Sequence, residues 1–177
     1  VLTAMSRGGG RYLITRLRNH MPILVPGDGT TLLHVSASYN TGRMVARVAG
    51  HTPSIGEDYT VGHNEFMTHE QYIHMWARLL GVEPLIVHIP LDVILSFNTP
   101  ETNELLPILT GFNVAFSVDK FKTAFPDFQW TMSLEEWGRR YIVYNDEHGN
   151  FPQPEEEIID DRIIHSYQNA LKGLHPQ

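Results

Sequence analysis

Ten histidines in a chain of 177 residues are an unusual supply of imidazole and invite a metal-binding reading. His63, His69 and His74 share one short segment with Glu65 and Glu70. A helix offers two ligands to one ion at i, i+3 or i, i+4 spacing, but His69 and His74 are five apart, about 140° around the wheel. Surface or hydrogen-bonded histidine is the better explanation, and no metal is expected. His34 and His88 each fall in a short apolar run, where a hydrogen-bonded inward polar residue is expected rather than a catalytic base. Reductase chemistry of the Tyr-x-x-x-Lys type needs a lysine one helical turn after the tyrosine, so that the ammonium lowers the phenol's pKa. No tyrosine here has that lysine. Tyr12/Arg16 and Tyr39/Arg43 come near, but arginine is a fixed fork and not a tunable amine. There is no cysteine to serve as a thiolate and no Gly-x-Ser-x-Gly elbow. No catalytic residue is assigned within the chain.

Two glycine-rich places remain for anions. Gly27-Asp28-Gly29 starts like a phosphate loop, but no third glycine follows in place, and the next residues read as a strand. A dinucleotide loop must open a helix whose N-terminus takes the pyrophosphate. A tight hairpin turn is expected, and no cofactor-binding residue is assigned. Gly8-Gly9-Gly10 does precede a helix, and Arg7 and Arg11 flank it. Such a place can cradle an anion; a frayed terminus is the alternative. Arg7, Arg11 and His34 are the candidate substrate-binding residues.

The elements that must position these groups alternate between short apolar strands and capped helices, the pattern of a mixed α/β domain. Helices are expected over 10–19 and 41–49, and strands over 23–25, 30–35, 59–61, 84–90 and 113–118. Thr68 to Gln71 forms a capping box, in which the Thr hydroxyl and the Gln side chain each satisfy a free amide at the helix start. It opens a helix with Tyr72, Ile73, Trp76 and Leu80 on one face, closed by Gly81. One or two helical turns are expected over 91–111. A second box, Ser133 to Glu136, opens a helix carrying Trp137, Tyr141 and Tyr144. Trp76, Trp130 and Trp137 are expected in the core. The expected organisation is a subdomain over 1–148, then a linker and an acidic amphipathic helix over 149–177. The stripe Ile159, Ile163, Tyr167 and Leu171 should dock on its own subdomain, with a homo-oligomer contact as the alternative.

Composition narrows the class. The chain is 42% hydrophobic and 19% charged, with 13 Lys+Arg against 20 Asp+Glu and a net charge of −7. That is globular, and it argues against a nucleic-acid partner, which needs a basic surface. No apolar run approaches the roughly 20 residues of a membrane span. The absence of cysteine fits a cytoplasmic protein. The first residue is Val and not Met, from which a processed or truncated product is expected.

Several segments, taken in order, resemble a known family. They are Met21-Pro-Ile-Leu-Val-Pro-Gly-Asp-Gly-Thr-Thr-Leu-Leu-His34, Ile55-Gly-Glu-Asp-Tyr-Thr-Val61 and Met67-Thr-His-Glu-Gln-Tyr72. Leu79-Leu-Gly-Val82, Leu85 to Pro90, Phe116-Ser-Val-Asp-Lys-Phe-Lys122 and Ser133-Leu-Glu-Glu136 continue the series. Together they look like the carboxy-terminal, substrate-side half of NAD-dependent epimerases/dehydratases, the extended short-chain dehydrogenase/reductases, over residues 20–145. The resemblance implies a small mixed α/β subdomain lacking the Rossmann dinucleotide-binding half. NAD or NADP would then be bound mainly by that missing half, which also carries the Tyr/Lys pair, so this chain alone should be inactive. The expected substrate is a small molecule, sugar-like or another carbonyl or hydroxyl compound. Three positions depart from the pattern. Leu33 stands where many nucleotide-sugar members carry a diphosphate-binding Arg, and Asn40 and Gly42 stand for an Asp and an Ala. Losing a bidentate phosphate clamp makes a smaller carbonyl or hydroxyl substrate at least as good a fit. The alternative is a non-catalytic binding or regulatory module that kept the fold.

Overall fold

The computed structural model describes residues 10–100, 102, 111–154 and 159–174. Helix α1 (Gly10–Arg18) leads into strand β1 (Pro22–Pro26); a glycine turn then leads to the short strand β2 (Leu32–Leu33) and helix α2 (Ser38–Val48). After a 3-10 turn at Thr52–Ser54 come β3 (Met67–Thr68), α3 (His69–Leu80) and β4 (Leu85–Ile89). The chain continues through α4 (Leu91–Leu95), α5 (Asp119–Ala124), α6 (Leu134–Glu147) and α7 (Ile159–Leu174). The mixed α/β class is the one the sequence implies.

The pairing differs from the expected hairpin. β1 pairs in parallel with β4, from Pro22 with Leu85 to Pro26 with Ile89, while β2 pairs antiparallel with β3 through Leu32/Thr68 and Leu33/Met67. The glycine turn therefore carries the chain from one small sheet to the other. Two expected strands are absent at their places. Residues 113–118 touch β2 only through Asn113, whose side chain accepts the Leu32 amide, and through the Val114 amide on the Leu32 carbonyl. One of these two bonds ends on a side chain, and no ladder forms between 113–118 and β2. Tyr59 and Val61 instead pack on Phe121 and Phe125, so 59–61 serves an aromatic cluster rather than a sheet. Helix α2 begins earlier than expected, at Ser38, and α5 was not expected at all. Ser117 starts α5 locally, its hydroxyl donating to the Asp119 carboxylate and accepting the Asp119 amide.

Both capped helices form, the first with its full box and the second with only the serine half, since the Glu136 side chain bonds Arg140. Thr68 accepts the Gln71 amide while the Gln71 side chain accepts the Thr68 amide, and Gly81 ends α3 at φ 69°. Ser133 accepts the Glu136 amide at the start of α6. The fully buried Trp76 of α3 meets Tyr72, Trp137 and Tyr141 edge-on. Gly138 lets α6 approach closely, since a Cβ there would stand 2.6 Å from Leu79 Cδ1. Helix α7 lays Ile163 and Ile164 on Leu24 and Ile89, covering the β1–β4 pair. Among the described residues no helix is long and apolar enough to cross a membrane.

Candidate functional site

The turn Gly27-Asp28-Gly29 is held at three points. The Gly27 amide donates to the Ile89 carbonyl at 2.8 Å, tying it to the end of β4. The Gly29 carbonyl accepts the Glu70 amide at 3.1 Å and the Thr31 carbonyl accepts the His69 amide at 2.9 Å, which seats the turn on the start of α3. Asp28 folds back on Thr30, accepting its hydroxyl and its amide, and these bonds hold the Asp28 carboxyl below its ordinary range. Both glycines have positive φ, 64° and 76°, a region that an L side chain enters at a cost. The turn leads into a strand, so it offers no helix N-terminus to a pyrophosphate, and the described residues do not fit a dinucleotide there.

Against this turn stands a row of titratable side chains. Glu70 takes His88 Nε2 at 3.1 Å through one oxygen and faces His74 Nε2 at 3.7 Å through the other. All three are partly open to solvent. The partner of His74 is thus Glu70, one helical turn before it, and not His69. His69 is buried, and burial pushes its imidazole down to about 4, so it is a neutral core group at neutral pH. Among the described residues no group of three or more His, Asp or Glu is placed to hold a metal ion.

His34 directly follows β2. Its Nε2 bonds the His63 carbonyl at 2.7 Å and its Nδ1 accepts the Phe116 amide at 3.2 Å. An acceptor Nδ1 and a donor Nε2 define one neutral tautomer. The ring faces Phe66 and Phe116 with centroids 4.8 and 6.0 Å away, and Gly62 passes so closely that a Cβ would lie 3.0 Å from it. Phe66, Phe112 and Phe116 remain exposed. His34 is thus a fastener: it draws the 62–66 and 112–116 loops together beneath an open aromatic rim. The Trp130 indole adds a second tie by donating to the Gly62 carbonyl.

The other sequence candidates lie elsewhere. Arg7 is outside the described residues. Arg11 donates to the Asn150 carbonyl at 3.3 Å, and none of its named contacts is shared with His34. The two near-miss arginines are structural. Arg16 is buried in an ion pair with Asp161, and Arg43 lies over Phe128 while donating to Gln129 and Thr131. Leu33 is buried in the main core, where a guanidinium would lack water. Asn40, fully buried, donates to the Met132 carbonyl and accepts its amide, a two-handed bond that an ionised Asp could not make. Sequence reasoning missed the Glu70–His88 pair. The i, i+4 spacing of Glu70 and His74 was available as a signal, but His88 joins them only through tertiary pairing.

No protein-family model and no curated protein sequence matches the chain. Solved structures do. A dTDP-glucose 4,6-dehydratase from Bacillus anthracis str. Ames, in complex with NAD, superposes with TM-score 0.56 at 16% identity, over 78% of this chain and 39% of that one. A UDP-glucuronic acid 4-epimerase from Bacillus cereus, in complex with UDP-glucuronic acid and NAD, gives TM-score 0.59 at 18% identity, over 83% of this chain and 43% of that one. The chain spans about two-fifths of the length of these structures. Its fold is that of a part of NAD-dependent sugar-nucleotide epimerases and dehydratases.

Proposed function

We propose that the chain is the substrate-side portion of an NAD(P)-dependent epimerase, dehydratase or reductase acting on a sugar-like or other carbonyl/hydroxyl small molecule. The observation that carries this reading is the fold match: it takes in most of this chain and only two-fifths of enzymes whose structures hold NAD. The glycine turn with Glu70 and His88, and the aromatic rim, are the proposed substrate contacts. Exposed aromatic faces suit the C–H face of a sugar ring, and the Glu70 and His88 side chains suit its hydroxyls. His34 contributes by holding Phe66 and Phe116. Arg7 and Arg11 are retained as anion contacts. The hydride chemistry, the Tyr/Lys pair and the cofactor loop belong to a dinucleotide-binding segment outside this chain.

Two measurements test the reading. Titration calorimetry of the chain with NAD+ and NADPH should give no micromolar binding; micromolar binding of either would place the cofactor site here and overturn the division of labour. The reading frame should encode a Gly-rich loop and Tyr-x-x-x-Lys before Val1. A start codon beside Val1 would favour the second reading, a non-catalytic module, for which the missing Tyr/Lys pair is the motivating observation.

A further inference from the structure

Helix α7 is joined to α1 by charges largely withdrawn from water. Arg16, 4% exposed, grips the Asp161 carboxylate at two points, Nη1 to Oδ2 at 2.9 Å and Nη2 to Oδ1 at 2.6 Å. Its Nε and Nη2 also donate to the Pro22 carbonyl at the start of β1. Asp160, 8% exposed, sits beside this pair with an Oδ1 that has no hydrogen-bond partner. One guanidinium therefore faces two buried carboxyls. If both carboxyls ionise, a net negative charge is left out of water, which is costly; a single proton on Asp160 removes it.

We propose that α7 is a proton-operated latch: with Asp160 protonated the helix closes on β1 and β4, and loss of that proton loosens it. Among the described residues, the groups facing Asp160 are few. Helix α1 supplies Arg16, α7 itself supplies Asp161, and β1 offers no titratable side chain. His88 of β4 is engaged with Glu70, and the Asp92 carboxylate in the first turn of α4 accepts the Val93 amide. Burial, reinforced by Asp161 and opposed by Arg16, pushes the Asp160 carboxyl up to about 6.

The consequence reaches the candidate site. Ile163 and Ile164 cover Leu24 and Ile89, and the Ile89 carbonyl holds the Gly27 amide. Loosening α7 uncovers the platform on which the glycine turn is fixed. The latch does not depend on which reaction the chain serves.

The sign follows from linkage. A carboxyl whose folded value is raised stabilises docking most at low pH. That contribution declines as pH climbs from the ordinary carboxylate value to about 6, then stays level. Between about pH 5 and about pH 7.5 the docking equilibrium should weaken about tenfold. His69 has the opposite slope over an overlapping range, so global melting is a poor readout and a local one is needed.

Hydrogen exchange of the α7 amides, corrected for intrinsic rates, reads the latch directly in the full chain. Protection should fall about tenfold across that interval, and in Asp160→Asn it should stay level and high. A carbon-13 titration of the Asp160 carboxyl should show a midpoint well above the ordinary range. The same decline in Asp160→Asn, an Asp160→Asn chain that fails to fold, or an ordinary carboxyl midpoint would each overturn the proposal.

Discussion

Replacing Gly29 with alanine measures how closely the glycine turn sits on α3, and Gly27 provides the control. Gly29 has φ +76°, and a Cβ there would lie 2.7 Å from Glu70 Oε2, 3.0 Å from Glu70 Cβ and 3.3 Å from His88 Nε2. Gly27 has φ +64° and nothing within 4 Å of such a Cβ. Left-handed backbone costs an alanine about 1 kcal/mol at either position. Only at Gly29 must something else move. The Glu70 carboxylate can swing away, at the expense of its bond to His88, but the Glu70 Cβ is fixed to a helix whose amide is bonded to Gly29 itself. Displacing it adds about 1–2 kcal/mol, the usual scale for overpacking. Gly27→Ala should therefore lose about 1 kcal/mol and Gly29→Ala about 2–3 kcal/mol. With a urea slope of about 2 kcal/mol/M, the two midpoints separate by about 0.5–1 M. Urea unfolding followed by tryptophan fluorescence resolves that gap. Coincident midpoints would refute the close approach. In a Glu70→Ala background the gap should narrow without closing, because the Cβ remains.

Thr68→Ala removes half of the capping box and should cost about 0.5–2 kcal/mol with the fold retained; an unchanged urea midpoint would show that the cap does not form. Ile163→Asp places a carboxylate among Leu24, Ile89 and Ile94 and should cost about 4 kcal/mol or more. Unchanged melting and sedimentation would make α7 a free tail. His69 is buried and neutral, so its contribution is complete above the ordinary imidazole value and is lost as pH falls to about 4, by about 3 kcal/mol in all. His69→Gln should flatten that part of the stability–pH curve, and an unaltered slope would mean that His69 is solvated in the fold.

Local chemistry made much of this fold legible in the sequence. The capping box at Thr68, the glycine stop at Gly81 and the apolar runs at 23–25 and 84–90 depend on neighbouring residues alone, and all four formed near their expected places, while at Ser133 only half of the expected box formed, because the Glu136 carboxylate takes Arg140 instead. What stayed hidden depends on distant partners. The glycine turn looked like a hairpin because Pro-Gly and Asp-Gly promote tight reversals. Nothing local says that β1 prefers β4, or that β2 takes β3. Residues 59–61 and 113–118 alternate like strands, but packing claimed the first, and the second meets β2 through the Asn113 side chain and the Val114 amide without forming a ladder. The candidate site follows the same division. Gly27-Asp28-Gly29 was visible as a feature, whereas the Glu70–His88 pair and the backbone ties of His34 exist only after the sheets assemble.

The parallel pairing of β1 with β4 also dictates an order of assembly. Its partners are as distant along the chain as Pro22 and Leu85, so the ladder cannot nucleate locally and must wait for a large loop to close. Helix α3, with its own cap and stop, can form first and bring the two strands within reach. Helix α7 can dock only after both strands are in place, because its seat is made of Leu24 from one and Ile89 from the other. During synthesis from the amino terminus, that seat is therefore the last apolar surface to be covered. A chain interrupted between α6 and α7 would present Leu24, Ile89 and Ile94 to solvent beside unpaired strand edges, the combination that drives aggregation of incomplete α/β folds.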